Sequence, residues 1–308
     1  FLPERLVILE IAESPLYEID LVLKKEFDGV EIVPLLADIR DKEELEKIFR
    51  TFSPDIVFHA AAYKHVPMLE AHPWKAIDNN IIGTRNLAEM AGQYQCEKFV
   101  FVSTDKAVNP ANIMGTSKRI AEMIVQNQNL CNDSDTEFII VRFGNVIGSV
   151  GSVIPLFKQQ ISEGGPVTVT HPDIIRFFML IPEACQLILQ AGSMGKGGEI
   201  FILEMGEPVK IDDMARDLIR FSGFEPDVDI KIEYTGLRPG EKLYEELMSK
   251  DENVVLTGHS KIMVLNGTTC NSDILSSDIE QLRLLAHNRD KKQIMAKFME
   301  IVPEYKPA

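Results

Sequence analysis

Thr104, Asp105 and Lys106 put a hydroxyl, a carboxylate and an amine in succession, directly after Ser103 and the apolar run Lys98-Phe-Val-Phe-Val102. That run reads as a strand, so the three groups stand at its C-terminal end, the edge of an open α/β sheet where ligands bind. Further on, Met114 and Lys118 are four residues apart in a segment of helical character, which sets both on one face. The set is suited to acid/base chemistry, with one member, the Met114 thioether, that cannot titrate.

Composition limits what such a site serves. A chain of 308 residues can bury a large core, as one domain or as two unequal lobes. Its net charge of −15 argues against a general nucleic-acid or anionic-membrane surface, so any anionic ligand must be held by local Lys, Arg and backbone N–H groups. The cysteines, Cys96, Cys131, Cys185 and Cys270, lie far apart with no metal-binding spacing, which points to a reduced, cytoplasmic setting. No apolar run approaches the ~18 residues of a membrane span, and no signal peptide is visible.

The elements that must position these residues alternate through the first half. Strands are expected at Arg5–Glu10, Val30–Ile39, Pro54–Ala62, Phe99–Thr104 and Phe138–Phe143. Helices are expected from the Ser14-Pro15 cap to about Phe27, then over 42–51, 67–93 with a break near Pro73, and 112–130. This is the pattern of an α/β, doubly wound parallel sheet, Rossmann-like in type. Beyond Gly148 short strands mix with helices, one of them over Glu241–Met248, as in a smaller α+β lobe. The expected division is a dinucleotide-binding domain at 1–148 and a substrate lobe at 149–308, closing in a solvated pair of amphipathic helices. A sheet of this kind should open with a strand, a glycine-rich turn and a helix that holds a pyrophosphate. No Gly-x-Gly-x-x-Gly occurs, and Gly144, Gly148 and Gly151 come too late with the wrong spacing. The first strand–glycine loop–helix is therefore expected to be lacking.

Seven signposts occur in series over roughly residues 5–250. They are Asp38-Ile-Arg-Asp41, His59-Ala-Ala-Ala-Tyr-Lys-His-Val66, Asn80-Ile-Ile-Gly-Thr84, Ser103-Thr-Asp-Lys106, Met114-Gly-Thr-Ser-Lys118, Arg142-Phe-Gly-Asn-Val146 and Arg238-Pro-Gly-Glu-Lys242. In this order they resemble the extended short-chain dehydrogenase/reductase superfamily, within the nucleotide-sugar 4,6-dehydratases of bacterial polysaccharide and glycan biosynthesis. The likeness is to UDP-N-acetylglucosamine 4,6-dehydratases, whose longer members carry an N-terminal membrane region.

That resemblance implies roles. Glu10 would accept from the adenosine ribose hydroxyls of NAD, and its charge disfavours NADP without forbidding it. Asp38 and Ile39 would meet the adenine, Ala60, Ala61 and Ala62 would let backbone approach the cofactor, and Asn80 and Lys118 complete the cofactor set. Dehydration needs an acid for the departing 6-hydroxyl and a base for the C5 proton, roles the resemblance gives to Asp105 and Lys106. Met114 stands where most of the superfamily has a catalytic tyrosine, and marks a subgroup; Thr104, Lys118 or a water are then left to take the 4-hydroxyl proton. On the substrate side, Arg238 and Glu241 resemble a uridine-diphosphate grip, with Arg176, Asn145 and Lys64 as further UDP-sugar contacts. Val150 and Ile175 depart from the arginine and threonine that relatives often show. A homo-oligomer is expected. The rival readings are a C5-inverting dehydratase or 4-epimerase of the same superfamily, and a non-catalytic nucleotide-sugar-binding protein.

Overall fold

The computed structural model describes residues 2–131, 134–149, 151–249, 252–265 and 272–307; Val150, Cys270 and the side chain of Cys131 lie outside this description. Strand β1 (Arg5–Glu10), helix α1 (Glu13–Glu26) and strand β2 (Glu31–Leu36) form a parallel two-stranded ribbon, followed by α2 (Lys42–Phe52). The main sheet holds β3 (Ile56–His59), β4 (Lys98–Val102), β5 (Glu137–Arg142), Ile200–Leu203, Ile262–Leu265 and Val254–Leu256, in that spatial order. Pairing is parallel from β3 through Ile200–Leu203 and antiparallel beyond it. Phe99, Val100 and Phe101 of β4 and Phe138 to Val141 of β5 are all buried. Continuous apolar runs of this kind mark strands covered on both faces.

Among the described residues, β1 pairs only with β2, and β3 only with β4. Leu9 of β1 and Val57 of β3 nevertheless pack against one core cluster, so ribbon and sheet share a core across the interval between their edges. Leu6, Ile11, Tyr17, Leu21 and Phe58 are exposed on β1, α1, β3 and the turn after β1. Among the described residues the parallel strands are therefore interrupted between β1 and β3.

Four expectations are corrected. Ile200–Leu203, Val254–Leu256 and Ile262–Leu265 belong to the main sheet, so the expected second lobe is not the continuous segment 149–308. The closing helices, Ser272–Asn288 and Lys291–Ile301, are not simply solvated: Leu275, Ile279, Leu282, Ile294, Phe298 and Ile301 are buried against Ile77, Ile81, Ile113 and Met114. No helix forms over 241–248, because the Lys242 and Leu243 carbonyls accept from Arg176 instead of from amides a turn later. Helix α1 is capped at Ala12, whose N–H donates to Glu10 Oε1 at 3.0 Å, and Ser14-Pro15 lies within its first turn.

Helices α3 (Val66–Ala71), α4 (Pro73–Ala76) and α5 (Thr84–Gln93) flank a π-helical stretch, Ile77–Gly83; α6 (Ile113–Cys131) then joins β4 to β5. A buried ion pair fixes α6 against the sheet. Arg142, the last residue of β5, donates through Nε and Nη2 to the two carboxylate oxygens of Glu122 at 2.7 and 2.6 Å. Ser103 and Arg119 complete the Glu122 carboxylate, and Glu252 takes Arg142 Nη1 at 2.8 Å. Burial alone would raise the Glu122 carboxyl, but Arg142, Arg119 and Ser103 hold it below the usual range. Arg142→Leu should strand this carboxylate in the core and destabilise the fold by about 3–5 kcal/mol. Urea unfolding of the variant and parent checks it; a loss under about 1 kcal/mol, the scale of a surface pair, would contradict the role.

Candidate active site

The hydrogen bonding of β4 with β5 continues past the strand ends. Ser103 N–H donates to Val141 O at 2.8 Å and Asp105 N–H to Phe143 O at 3.0 Å, which brings Gly144 and Asn145 over Asp105 and Lys106. A Cβ on Gly144 would lie 3.2 Å from Asp105 Oδ2, so the glycine leaves room for the acid. From the other side, a Cβ on Gly115 would lie 2.1 Å from the Lys106 carbonyl oxygen. The first turn of α6 can press on Lys106 only because residue 115 has no side chain. That contact also explains why a glycine follows Met114.

Within this frame Thr104 Oγ1 donates to Asp105 Oδ1 at 2.8 Å, and Lys106 Nζ donates to the same oxygen at 3.0 Å. Asp105 is 1% exposed, and its Oδ2 has no hydrogen-bond partner. Lys106 Nζ also reaches Asn145 Oδ1 at 3.0 Å. Lys118 Nζ donates to Val102 O at 2.7 Å and sits 3.9 Å over the Phe101 ring. Burial pushes its amine down to about 7, while Glu122, one turn along α6, pulls the other way. Near them His59, also buried, has an imidazole pushed down to about 3 by burial and by Lys118. The Thr84 hydroxyl donates to Asn80 O, so His59 Nε2 must be the donor to Thr84 Oγ1 at 2.8 Å.

A cavity of about 470 Å³ opens over these groups. Ala60, Ala62, Lys64, Thr104, Lys106, Met114, Lys118, Asn145, Arg176, Arg238 and Glu241 all line it. Met114 is therefore both things a buried methionine on this helix face could be, a cavity wall and a member of the core that the C-terminal helices complete. Lys64 and Arg238 are exposed, and the Arg238 guanidinium has no partner among the described residues. Glu241 braces that arginine's loop, accepting from Arg238 N at 3.1 Å and from Thr170 Oγ1 at 3.2 Å.

Six of the expected site residues lie off the cavity wall: Glu10, Asp38, Ile39, Ala61, Asn80 and Asp105. Glu10 closes β1 as expected and Asp38 lies two residues past β2, but the Asp38 carboxylate is held bidentately by Arg40. Burial of the Ile39 side chain leaves only its backbone for a ligand, and its carbonyl already accepts from Asn86. Asn80 is fully engaged, binding Tyr63 N–H and O, Asn79 and Ser117, so it holds the Ala-rich loop to α6 and is not free for a cofactor. Arg176 faces the cavity yet donates to the carbonyls of Ile175, Lys242 and Leu243, which makes it a brace for the Arg238 loop and no open diphosphate arm.

Sequence reasoning passed over Asn112 and Glu245. Asn112 Oδ1 accepts from Gly115 N–H at 2.8 Å at the start of α6, while its Nδ2 donates to Gly240 O at 2.8 Å. One side chain thus caps the helix of Met114 and Lys118 and clasps the loop of Arg238 and Glu241. Its place three residues before Gly115 was a readable capping signal. Glu245 is a buried carboxyl raised by burial, with Lys106 pulling it down and Asp105 pushing it up.

The family model for polysaccharide biosynthesis proteins matches residues 1–267. The chain belongs to that family. It is 54% identical over 253 residues to the capsular polysaccharide biosynthesis protein CapD of Staphylococcus aureus, covering 82% of this chain and 42% of that protein. The chain thus spans about two fifths of the length of that relative. A UDP-N-acetylglucosamine 4,6-dehydratase (inverting) of Campylobacter jejuni is 37% identical over 220 residues, 71% of this chain and 63% of its own. A UDP-glucose 4-epimerase of Rickettsia akari is also 37% identical, over 70% of this chain and 62% of its own. Among solved structures, Pen from Bacillus thuringiensis superposes at a TM-score of 0.78 with 30% identity, covering 92% of this chain and 90% of Pen. DesIV, a dTDP-glucose 4,6-dehydratase from Streptomyces venezuelae solved with NAD bound, shares the fold at 0.65 and 20% identity over 75% of each chain. The expected likeness to proteins of polysaccharide biosynthesis, with nucleotide-sugar dehydratases and epimerases among the relatives, is borne out, as is the Rossmann-like fold.

Among the described residues no helix is long and apolar enough to cross a membrane, and no cluster of metal-ligating side chains occurs. The buried Lys118 gives a pH test of the site. Between about pH 7 and the ordinary lysine range near 10.5 the folded chain holds fewer protons here than the unfolded chain, so this site favours folding more as pH rises through that window. Lys118→Met should flatten that rise, seen as urea midpoints that converge or separate between neutral and alkaline pH. Parallel pH dependences in variant and parent would show that Lys118 is charged when folded.

Proposed function

We propose that this chain is the catalytic unit of a nucleotide-sugar 4,6-dehydratase acting on UDP-N-acetylglucosamine with NAD. The observation that carries the reading is the Thr104–Asp105–Lys106 cluster against a cavity wall where Met114 replaces a titratable group. Ala60 and Ala62 give a wall of methyl groups, Lys118 a buried amine beside it, and Glu10 a carboxylate at the end of β1; these residues fit NAD. When bound, NAD supplies the hydride acceptor for C4 and the hydride donor for C6. The chain's own residues move the protons. Thr104 Oγ1 faces the cavity and already donates to Asp105, so it can take the 4-hydroxyl proton as it passes its own to that carboxylate. Asp105, now protonated, returns a proton to the departing 6-hydroxyl, which leaves as water. Lys106 removes the C5 proton, made acidic by the 4-ketone, and gives it back after C6 is reduced. Each group ends as it began, and the product is a 4-keto-6-deoxy sugar.

Arg238 and Glu241 would hold the uridine diphosphate at the far end of the cavity, joined to α6 by the Asn112 clasp. Retention at C5 is favoured, because the one amine beside Asp105 that faces the cavity both removes and returns the proton. A 4-epimerase, the activity named for the Rickettsia relative, would leave the Asp105–Lys106 pair without a task. Loss of the 6-hydroxyl, followed by nuclear magnetic resonance of the sugar product, separates the two.

Lys106→Ala should abolish C5 proton exchange and dehydration while UDP affinity stays nearly intact. Wild-type turnover by the variant would assign the base elsewhere. The interrupted sheet sets a second expectation. A chain carrying an added strand, glycine turn and helix ahead of β1 should bind NAD far more tightly than residues 1–308 alone, since such elements supply backbone N–H groups and a helix N-terminus to a pyrophosphate. Equal affinities by titration calorimetry would show that the cofactor does not cross the β1–β3 interval.

A further inference from the structure

Asn145, expected near the phosphates of the nucleotide sugar, holds the lysine of the catalytic cluster. Its Oδ1 lies 3.0 Å from Lys106 Nζ, and Asp105 Oδ1 lies 3.0 Å from the same nitrogen. Lys106 Nζ donates to both oxygens, which sets the Asn145 carboxamide with its oxygen toward the lysine. The Nδ2 group then points away from the lysine, and among the described residues it has no protein acceptor. Asn145 is itself a wall of the cavity. Its backbone leaves little freedom: Asn145 N–H donates to Phe177 O at 3.2 Å, and the residue pairs with Phe178 in a parallel ladder of the substrate lobe. Immediately before it, Gly144 is held against Asp105.

We infer that Asn145 is a positioning residue for Lys106. Its oxygen holds the amine beside Asp105 and aimed into the cavity, and its free Nδ2–H ties that aim to an acceptor oxygen on the bound sugar. The inference rests on the dehydratase reading and deepens it. Because the carboxamide is planar, a sugar oxygen that engages Nδ2–H also fixes Oδ1, so substrate occupancy and base orientation are set by one rigid group. An asparagine that merely gripped phosphate would act on nucleotide affinity and leave the lysine where it is.

Two variants in the full chain separate these roles. Asn145→Leu removes both donor and acceptor at similar volume, and Asn145→Asp keeps an oxygen toward Lys106 but removes the Nδ2 donor. Three readouts are needed: UDP affinity by calorimetry, C5 exchange with deuterated solvent at saturating UDP-N-acetylglucosamine, and crystal structures of parent and Asn145→Leu. In Asn145→Leu the exchange should fall roughly 100-fold, the scale of an ångström misplacement of a catalytic group, with UDP affinity unchanged and Lys106 out of its seat. Asn145→Asp should keep more exchange than Asn145→Leu. UDP binding weakened roughly tenfold with exchange at saturation intact would overturn the inference in favour of a phosphate contact. So would equal loss in the two variants, or an undisplaced Lys106 in Asn145→Leu. A parent that turns the sugar over with its 6-hydroxyl retained would refute the dehydratase reading instead, and the two crystal structures would still decide the part played by Asn145.

Discussion

The candidate site depends on a buried ion pair that lies off the cavity wall. Glu122 and Arg142 join α6 to the end of β5, and the Ser103 hydroxyl joins both to the end of β4. That junction sets the rotation of α6 against the ends of the two strands. With it, Met114 and Lys118 face the cavity, and Gly115 lands on the Lys106 carbonyl. Glu122 lies one turn beyond Lys118, so the residue that locks the helix also favours the charged form of its buried lysine against the effect of burial. A buried pair of this kind adds little net stability compared with an apolar core. Here it fixes one register between a helix and two strand ends, and acid/base chemistry requires that fixed register.

Two further joints extend the frame outward. Asn112 links the start of α6 to Gly240, so the loop of Arg238 and Glu241 cannot shift without disturbing the helix that carries Lys118. Lys242 Nζ adds a contact to Val108 O at 3.2 Å, just beyond the Thr104–Lys106 turn. Behind the cavity, the C-terminal helices bury their apolar faces against Ile113 and Met114. Met114 thus transmits packing from residues nearly 200 positions later to the wall of the cavity. A tyrosine there would present a phenol to that same wall; a thioether supplies volume and polarizable contact alone.

Much of this was legible in the sequence because local signals agreed with the global fold. Apolar runs gave β3, β4 and β5, and the hydroxyl–acid–amine series after β4 marked the centre of the site. The interrupted sheet followed from the absence of a glycine turn. What misled were groups whose partners are distant in the chain. Arg176 and Asn80 carry the right chemistry for ligands, but carbonyls 66 residues away and a loop 17 residues away occupy them. The helix expected over 241–248 failed for the same reason, since its carbonyls serve Arg176. Strands Ile200–Leu203, Val254–Leu256 and Ile262–Leu265 join the main sheet by long-range pairing, which no local pattern near Gly148 could announce.

The central claim is that one cavity moves hydrogen from C4 to C6 of a single sugar while Asp105 and Lys106 expel water between them. Its most direct test is UDP-N-acetylglucosamine carrying deuterium at C4, incubated with the NAD-loaded protein in ordinary water and followed by nuclear magnetic resonance and mass spectrometry. The account predicts a 4-keto-6-deoxy product lighter by one water, with the deuterium in its C6 methyl group. Deuterium retained at C4 of an epimerised, still 6-hydroxylated sugar would contradict it.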